Sequence, residues 1–255
     1  MHPILARYGP FFLYSYTVIM ALGLAAGIGL AAWLARRREQ PISGWFDALL
    51  AVLIAGLVGG RAGFVIANLT YFADRPGEIA LVWQGGLSYH GALLGGLMGL
   101  LVWSAWKRRS FFQFAGLLAA SMVLVSAFGW FACYMEGCAY GREATFGFLV
   151  SDLPDSYGVF ALRYQTQLTG VALCLVILAV VLFADHRVRA GTLFGLSLIL
   201  LSVVRVLVSL YRGDMVPQLG ALRWDTLLDS TIAIVTAFVL LLSTIVRGIR
   251  SRSPA

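Results

Sequence analysis

The sequence predicts an all-α, polytopic membrane protein: a seven-transmembrane-helix bundle with its N-terminus outside and its C-terminus cytoplasmic. Three observations carry this. Of 255 residues, 60% are hydrophobic and only 12% are charged, with a mean hydropathy of +0.85, so there is too little polar surface to coat a soluble domain. Successive apolar runs approach or exceed the roughly 20 residues that a helix needs to cross a hydrocarbon core. Basic residues collect at one end of alternate runs.

In chain order the spans are Phe12 to Leu34, Trp45 to Asn68, Gly86 to Trp106, Phe111 to Phe131, Thr166 to Phe183, Thr192 to Tyr211 and Thr226 to Val246. They fill most of the length, so residues 1–255 read as a single integral membrane domain. The opening MHPILARYGP lacks a basic n-region and a small-residue cleavage site, and the first span therefore reads as a retained helix. Arg36, Arg37 and Arg38 follow the first span, Lys107, Arg108 and Arg109 the third, Arg187 and Arg189 the fifth, and Arg247, Arg250 and Arg252 the seventh. That places eleven of the 19 basic residues on one side, beside only Glu39, Asp47 and Asp185. On the other side Arg7, Arg75, Arg142, Arg163, Arg212 and Arg223 are diluted by Asp74, Glu78, Glu136, Glu143, Asp152, Asp155, Asp214 and Asp225. Positive charge stays cytoplasmic, which sets the orientation. The net charge of +7 is thus explained by topology, and membrane lipid, not nucleic acid, is the expected partner.

Small residues recur at four-residue spacing: Gly23 and Gly27, Gly56 and Gly60, then Gly91, Gly95 and Gly99. Each set makes a smooth stripe on one helix face and lets backbones approach closely. The longest connection, about 132–165, is external, and a segment of this length is expected to fold over the outer face. Three cysteines are too few for a disulfide framework. Cys133 and Cys138 fit a disulfide, a redox pair or plain small residues, and Cys174 fits helix packing.

Arg61 and Arg205 fall inside apolar runs, where a charge costs roughly 2.5 to 3.5 kcal/mol at the helix centre and needs a partner or a wet cavity. Arg61 lies seven residues below the outer end at Asn68, or about 10 Å at 1.5 Å per residue, and Arg205 lies at a similar depth before Tyr211. His90 sits near the start of the third span and Tyr16 just inside the first. Taken singly, each also fits snorkelling or a structural hydrogen bond. Four helices offering polar groups at one level in the outer leaflet point instead to a site for a lipid anion, because guanidinium forks match phosphate oxygens and keep their charge in a low dielectric.

These residues also carry a family resemblance. Trp83-Gln84-Gly85-Gly86-Leu87-Ser88-Tyr89-His90-Gly91-Ala92-Leu93-Leu94-Gly95-Gly96 resembles the W-x-G-G-[LM]-S-[FY]-H-G-[GA]-L-[LI]-G segment of prolipoprotein diacylglyceryl transferases. Tyr14-Ser15-Tyr16 is similar to the family's first-helix tyrosine motif, and Gly59-Gly60-Arg61-Ala62-Gly63-Phe64 to its G-G-R-x-G-[YF]. Glu136-Gly137-Cys138-Ala139-Tyr140-Gly141-Arg142 resembles the end of its signature. Arg163 with Gln167-Leu168 fits R-x-P-x-Q-L, and Arg205 followed by Leu210-Tyr211-Arg212-Gly213-Asp214 fits R-x-x-x-E-F-[FY]-R-x-[PD].

The resemblance implies a multi-pass enzyme of the bacterial cytoplasmic (inner) membrane. It would transfer the diacylglyceryl group from phosphatidylglycerol to the lipobox cysteine thiol of a prolipoprotein, and glycerol phosphate would leave. His90, Tyr16 and Arg205 are then the catalytic candidates: His90 takes the thiol proton, directly or through Tyr16 or water, and Arg205 answers the charge on the departing phosphate. Arg61, Gly91, Glu136, Gly141, Arg142, Arg163 and Arg212 are the substrate-binding candidates. Phosphatidylglycerol and prolipoprotein signal peptides are the implied partners, and neither metal nor cofactor is called for.

The sequence departs from the family at three places. Gly129-Trp130-Phe131-Ala132-Cys133 stands where the signature begins G-R-[IL]-G-[NC], so Trp130 replaces an arginine; Ser209 and Gly170 replace two acids. Losing an arginine together with an acid is physically coherent, since a buried ion pair exchanges for apolar groups at little cost whereas half a pair does not persist. Arg142 or Arg163 is a candidate source of the missing charge.

Three other functions fit parts of the pattern. A microbial rhodopsin needs a lysine in its last helix, and the single lysine is Lys107 in a cytoplasmic connection, which excludes it. An anion transporter would bind near the midplane on broken helices, whereas here the polar residues share one shallow level. A non-catalytic paralogue that binds lipid without transferring anything is the remaining alternative, motivated by Trp130.

Overall fold

The computed structural model describes residues 4–9, 11–38, 42–82, 85–147, 149–155, 157–220 and 222–250. Trp83 and Gln84 of the long motif, and Glu39 and Arg252 of the cytoplasmic charge pattern, lie outside them. The chain is mostly helical, and among the described residues six helices are long and apolar enough to cross a membrane. These are α1 (Ser15–Arg37), α2 (Ile42–Ala67), α5 (Phe111–Glu136), α6 (Thr166–Ala184), α7 (Ala190–Ser209) and α8 (Trp224–Arg250). The expected third span forms α4 (Tyr89–Trp106), which is outside those six. Its 18 residues extend about 27 Å at 1.5 Å per residue, and Tyr89, His90 and four glycines dilute its apolar character. A short α3 (Leu69–Ala73) and a 3-10 turn at Pro76–Glu78 connect α2 towards α4.

The all-α expectation needs one amendment: the described residues include three two-stranded hairpins. The first pairs β1 (Ile4–Tyr8) with β2 (Phe11–Tyr14). It takes Phe12–Tyr14 out of the expected first span, because a run of Phe, Leu and Tyr suits a paired strand as well as a helix. The second pairs β3 (Val150–Pro154) with β4 (Phe160–Tyr164), and the third β5 (Gln218–Leu219) with β6 (Leu222–Arg223). The fourth span also extends to Glu136, past its expected end at Phe131.

Two compact units make up the chain, one of Met1–Ala31 with Leu118–Ala255 and one of Ala32–Leu117. In the Ala32–Leu117 unit, α2 lies directly against α4 through glycines. A Cβ on Gly59 would sit 2.5 Å from the Gly91 carbonyl oxygen, one on Gly99 2.5 Å from that of Ala51, and one on Gly95 would fall on that of Ala55. The α4 stripe makes these approaches as expected, but on α2 the closest ones come from Gly59 and Gly63, whereas a Cβ on the expected Gly56 or Gly60 would lie 3.3 Å from its nearest neighbour. Buried Trp45 and Trp103 and the edge-to-face pair of Trp103 with Phe114, 4.8 Å between centroids, fill this unit's other end.

In the larger unit, Gly23 and Gly27 bring α1 onto α5. A Cβ on Gly23 would lie 2.5 Å from Phe128 Cβ, and Ser121 Oγ donates 2.8 Å to the Gly27 carbonyl. α7 packs on α6 on one side and on α8 on the other, with Gly195 seated against Leu240. Cys174 is fully buried in α6, as its packing role requires.

Candidate functional site

In the Ala32–Leu117 unit the helix carrying His90 has a built start. Ser88 is its N-cap, with an extended backbone and an Oγ that accepts from Gly91 N–H at 3.3 Å; a serine there satisfies one of the orphan donors of the first turn. Ser88 N–H in turn donates to Gly60 carbonyl on α2 at 2.9 Å. His90 is half-buried, with its ring edge-to-face on Tyr89 at 5.2 Å. Gly91 is a packing residue here: a Cβ on it would fall on the Gly59 carbonyl oxygen.

Arg61 is 8% exposed and its guanidinium makes four hydrogen bonds, all to backbone carbonyls. Nε donates to Ile79 at 2.8 Å, Nη2 to Glu78 at 2.6 Å, and Nη1 to Gly85 at 2.7 Å and Gly86 at 3.2 Å. The rings of Phe64 and Phe72 flank it at 5.8 and 5.3 Å. A cavity of about 280 Å³ opens beside it, walled by Asn68, Tyr71 and Glu78. Tyr71 donates to Glu78 Oε2 at 2.7 Å, and that carboxylate raises the phenol's pKa.

In the larger unit, Arg205 projects from α7 to Asp229 on α8, with Nε 3.0 Å from Oδ2 and 3.2 Å from Oδ1. One turn nearer the helix ends, Ser209 Oγ and Thr226 Oγ1 share a 2.8 Å hydrogen bond. The missing acid at Ser209 is thus answered from a different helix. Arg205 Cζ also lies 6.0 Å from the ring of the buried Trp130. Trp130 and Gly170, two of the three family departures, meet: a Cβ on Gly170 would fall inside the indole. The apolar ring occupies the room that the absent side chain leaves.

The connection after α5 folds onto β4 and onto the segment after α7. The Cys133–Cys138 disulfide closes the end of α5, with Cα atoms 4.8 Å apart. Thr166 Oγ1 and Gln167 Nε2, from the start of α6, donate to the carbonyls of Ala139 and Cys138 at 2.7 and 2.9 Å. Gly141 bridges Arg212 and approaches Tyr164 so closely that a Cβ would fall on its carbonyl oxygen. Arg163 is buried and bonds both Glu143 at 3.2 Å and Asp155 at 3.3 Å. Arg212 and Arg223 alternate with Asp214 and Asp225 in a closed square of four ion pairs. Burial works against the Arg212 charge, but Asp214 and Asp225 outweigh it and raise its pKa. Arg142 differs: it is exposed, its guanidinium lies 5.6 and 5.5 Å from the rings of Tyr164 and Tyr211, and it has no carboxylate partner among the described residues. Glu136 and Tyr16 are both exposed, at the end of α5 and in the first turn of α1.

Among the sequence candidates, Arg61, His90 and Gly91 therefore share one unit, and Tyr16, Glu136, Gly141, Arg142, Arg163, Arg205 and Arg212 share the other. Within the latter, Gly141, Arg142, Arg163 and Arg212 come together. Sequence reasoning passed over Asp229, although an acid inside the last apolar run was a visible signal of the same kind as Arg205.

Comparison with known proteins covers most of this frame. The model of the prolipoprotein diacylglyceryl transferase family matches residues 3–243. The chain is 33% identical over 224 residues to a phosphatidylglycerol--prolipoprotein diacylglyceryl transferase of Aliivibrio fischeri, covering 82% of this chain and 76% of the relative. It is 30% identical over 239 residues to the protein of that name from Salmonella choleraesuis, covering 82% and 80%. With that of Trichormus variabilis it shares 28% over 232 residues, covering 87% and 82%.

Proposed function

We infer, because this chain belongs to the prolipoprotein diacylglyceryl transferase family, that it moves the diacylglyceryl group of phosphatidylglycerol onto the lipobox cysteine of a prolipoprotein. The observation that carries this is the family match over residues 3–243, which takes in His90, Arg205 and the connection between α5 and α6 in one frame.

The chemistry asks for two things. The thiol must lose its proton before its sulfur attacks the glyceryl carbon, and His90, at the start of α4, is the assigned acceptor, directly or through Tyr16 or water. The carbon-oxygen bond to phosphate then breaks, and glycerol phosphate leaves with the electron pair. Arg205 is assigned to that developing charge. Gly141, Arg142 and Arg163 of the connection between α5 and α6, together with Arg212 after α7, are assigned to the substrate headgroup and signal peptide; Glu136 at the end of α5 and Gly91 in the first turn of α4 are assigned to substrate binding as well. The fit of Trp130 to Gly170 supports competence, because an ion pair replaced as a unit leaves no stranded charge.

The same reading places the chain as a single integral domain of the bacterial inner membrane, with α4 as a seventh span, the N-terminus outside and the connection 132–165 on the outer face. The charge asymmetry of the connections supports that orientation. So does the Cys133–Cys138 disulfide, since such bonds persist outside the reducing cytosol.

The test is complementation of a strain depleted of its transferase, paired with transfer from labelled phosphatidylglycerol to a lipobox peptide in proteoliposomes. The wild-type chain is expected to support growth and label the peptide, and His90→Ala and Arg205→Ala to fail at both. Correctly inserted wild-type protein that binds phosphatidylglycerol but labels nothing would establish the non-catalytic alternative; anion flux without labelling would establish a transporter.

A further inference from the structure

We propose that Arg61 is a positioning residue, a backbone clamp that fixes the approach to His90, and not a ligand of the lipid phosphate. The inference rests on the transferase reading for its catalytic consequence, but its structural half stands alone.

A guanidinium has five N–H donors and no acceptor. The four hydrogen bonds of Arg61 end on the carbonyls of Glu78, Ile79, Gly85 and Gly86. Four carbonyl oxygens converging on one buried point repel one another and need a cation with forked geometry. The chain builds that geometry deliberately at Gly85 and Gly86, whose φ values of +87° and +76° turn the backbone inward. A Cβ on Gly86 would lie 2.9 Å from Arg61 Nη1 and 2.5 Å from Phe64 Cε1, so the close approach needs glycine there. From Gly86 the chain runs through Leu87 to Ser88, which is tied to Gly60 at 2.9 Å and caps α4. His90 is the second residue of that helix. Arg61 on α2 therefore holds the segment that determines where α4 begins and where its histidine stands.

Lysine separates the two roles. It keeps the charge, and would go on serving a phosphate as a point charge, but its single ammonium cannot reach four carbonyls spread around a planar fork. The experiment compares wild type, Arg61→Lys and Gly86→Ala in nanodiscs of phosphatidylglycerol and phosphatidylcholine, by amide hydrogen exchange and by transfer kinetics. Gly86→Ala attacks the clamp from the other side and leaves the Arg61 charge in place. Both variants are expected to exchange faster at residues 79–88 while α7 exchanges as in wild type. Both should lose kcat by up to about a hundred-fold, as a misplacement of about 1 Å does, with KM for phosphatidylglycerol little changed. Arg61→Lys with wild-type exchange and kcat overturns the proposal. So does a loss confined to KM with exchange unaltered, which is the signature of a phosphate ligand. Faster exchange at residues 79–88 in both variants, alongside a wild-type protein that itself transfers nothing, leaves the clamp standing and removes the transferase reading instead.

Discussion

Arg205 on α7 and Asp229 on α8 hold one another across the helix pair, with Nε 3.0 Å from Oδ2 and the carboxylate side chain 3% exposed. Asp229→Ala strands a guanidinium inside an apolar span, and breaking such a buried pair costs about 3–5 kcal/mol. The double variant Arg205→Met with Asp229→Leu is expected to be more stable than Asp229→Ala alone, while losing transfer. Unfolding in graded denaturing detergent measures both. Equal destabilisation of the single and double variants would mean the ion pair is not what joins the helices.

Trp130 and Gly170 make a second coupled pair. Gly170→Ala pushes a methyl into the indole, and overpacking of this kind costs about 1–3 kcal/mol. Trp130→Arg sets a second guanidinium beside Arg205, so it should destabilise by a comparable or larger amount. Trp130→Arg with Gly170→Glu is expected to regain much of that loss in a double-mutant cycle. Additive losses would show that the two positions act independently.

The Cys133–Cys138 disulfide closes a short loop, for which chain entropy gives about 2 kcal/mol. Without reductant, a membrane-impermeant thiol reagent should modify neither cysteine, and after mild reduction it should label both. Cys174, fully buried in α6, should react only on unfolding. Labelling of Cys133 in untreated cells would count against the bridge.

Asp155 gives the β3–β4 hairpin a pH dependence. The Val159 N–H chiefly, with Tyr157 N–H and the Arg163 charge, holds its carboxyl below the ordinary value, against a smaller opposing effect of burial. Because the folded pKa is depressed, the stabilisation is present above the unfolded value of about 3.9 and is lost as pH falls through the folded one. Amide exchange at Tyr157 and Val159 should accelerate on acidification in wild type and be fast and pH-insensitive in Asp155→Asn, after correction for intrinsic rates.

The helices were legible because lipid demands long apolar runs, and their observed ends fall within a few residues of the sequence boundaries except at Glu136. The glycine stripes were legible for the same reason: helix packing without hydrophobic drive leaves small residues as its trace. What stayed hidden depends on tertiary partners. The four carbonyl partners of Arg61 have no signature of their own in a sequence. The acid for Arg205 was sought one turn away at Ser209, while the chain supplies it 24 residues on, from the next helix. The hairpins were missed because Phe11–Tyr14 and Phe160–Tyr164 are short and mixed in pattern.

The square of Arg212, Asp214, Arg223 and Asp225 has a consequence for how a headgroup arrives. Two positive and two negative groups close upon themselves, so their fields cancel over a short distance, and salt, which already screens beyond about 8 Å at physiological strength, has little left to weaken. An approaching anion gains no long-range pull from that corner. Arg142 between Tyr164 and Tyr211, without a carboxylate partner among the described residues, keeps its field, and the reach of that field should shrink as ionic strength rises.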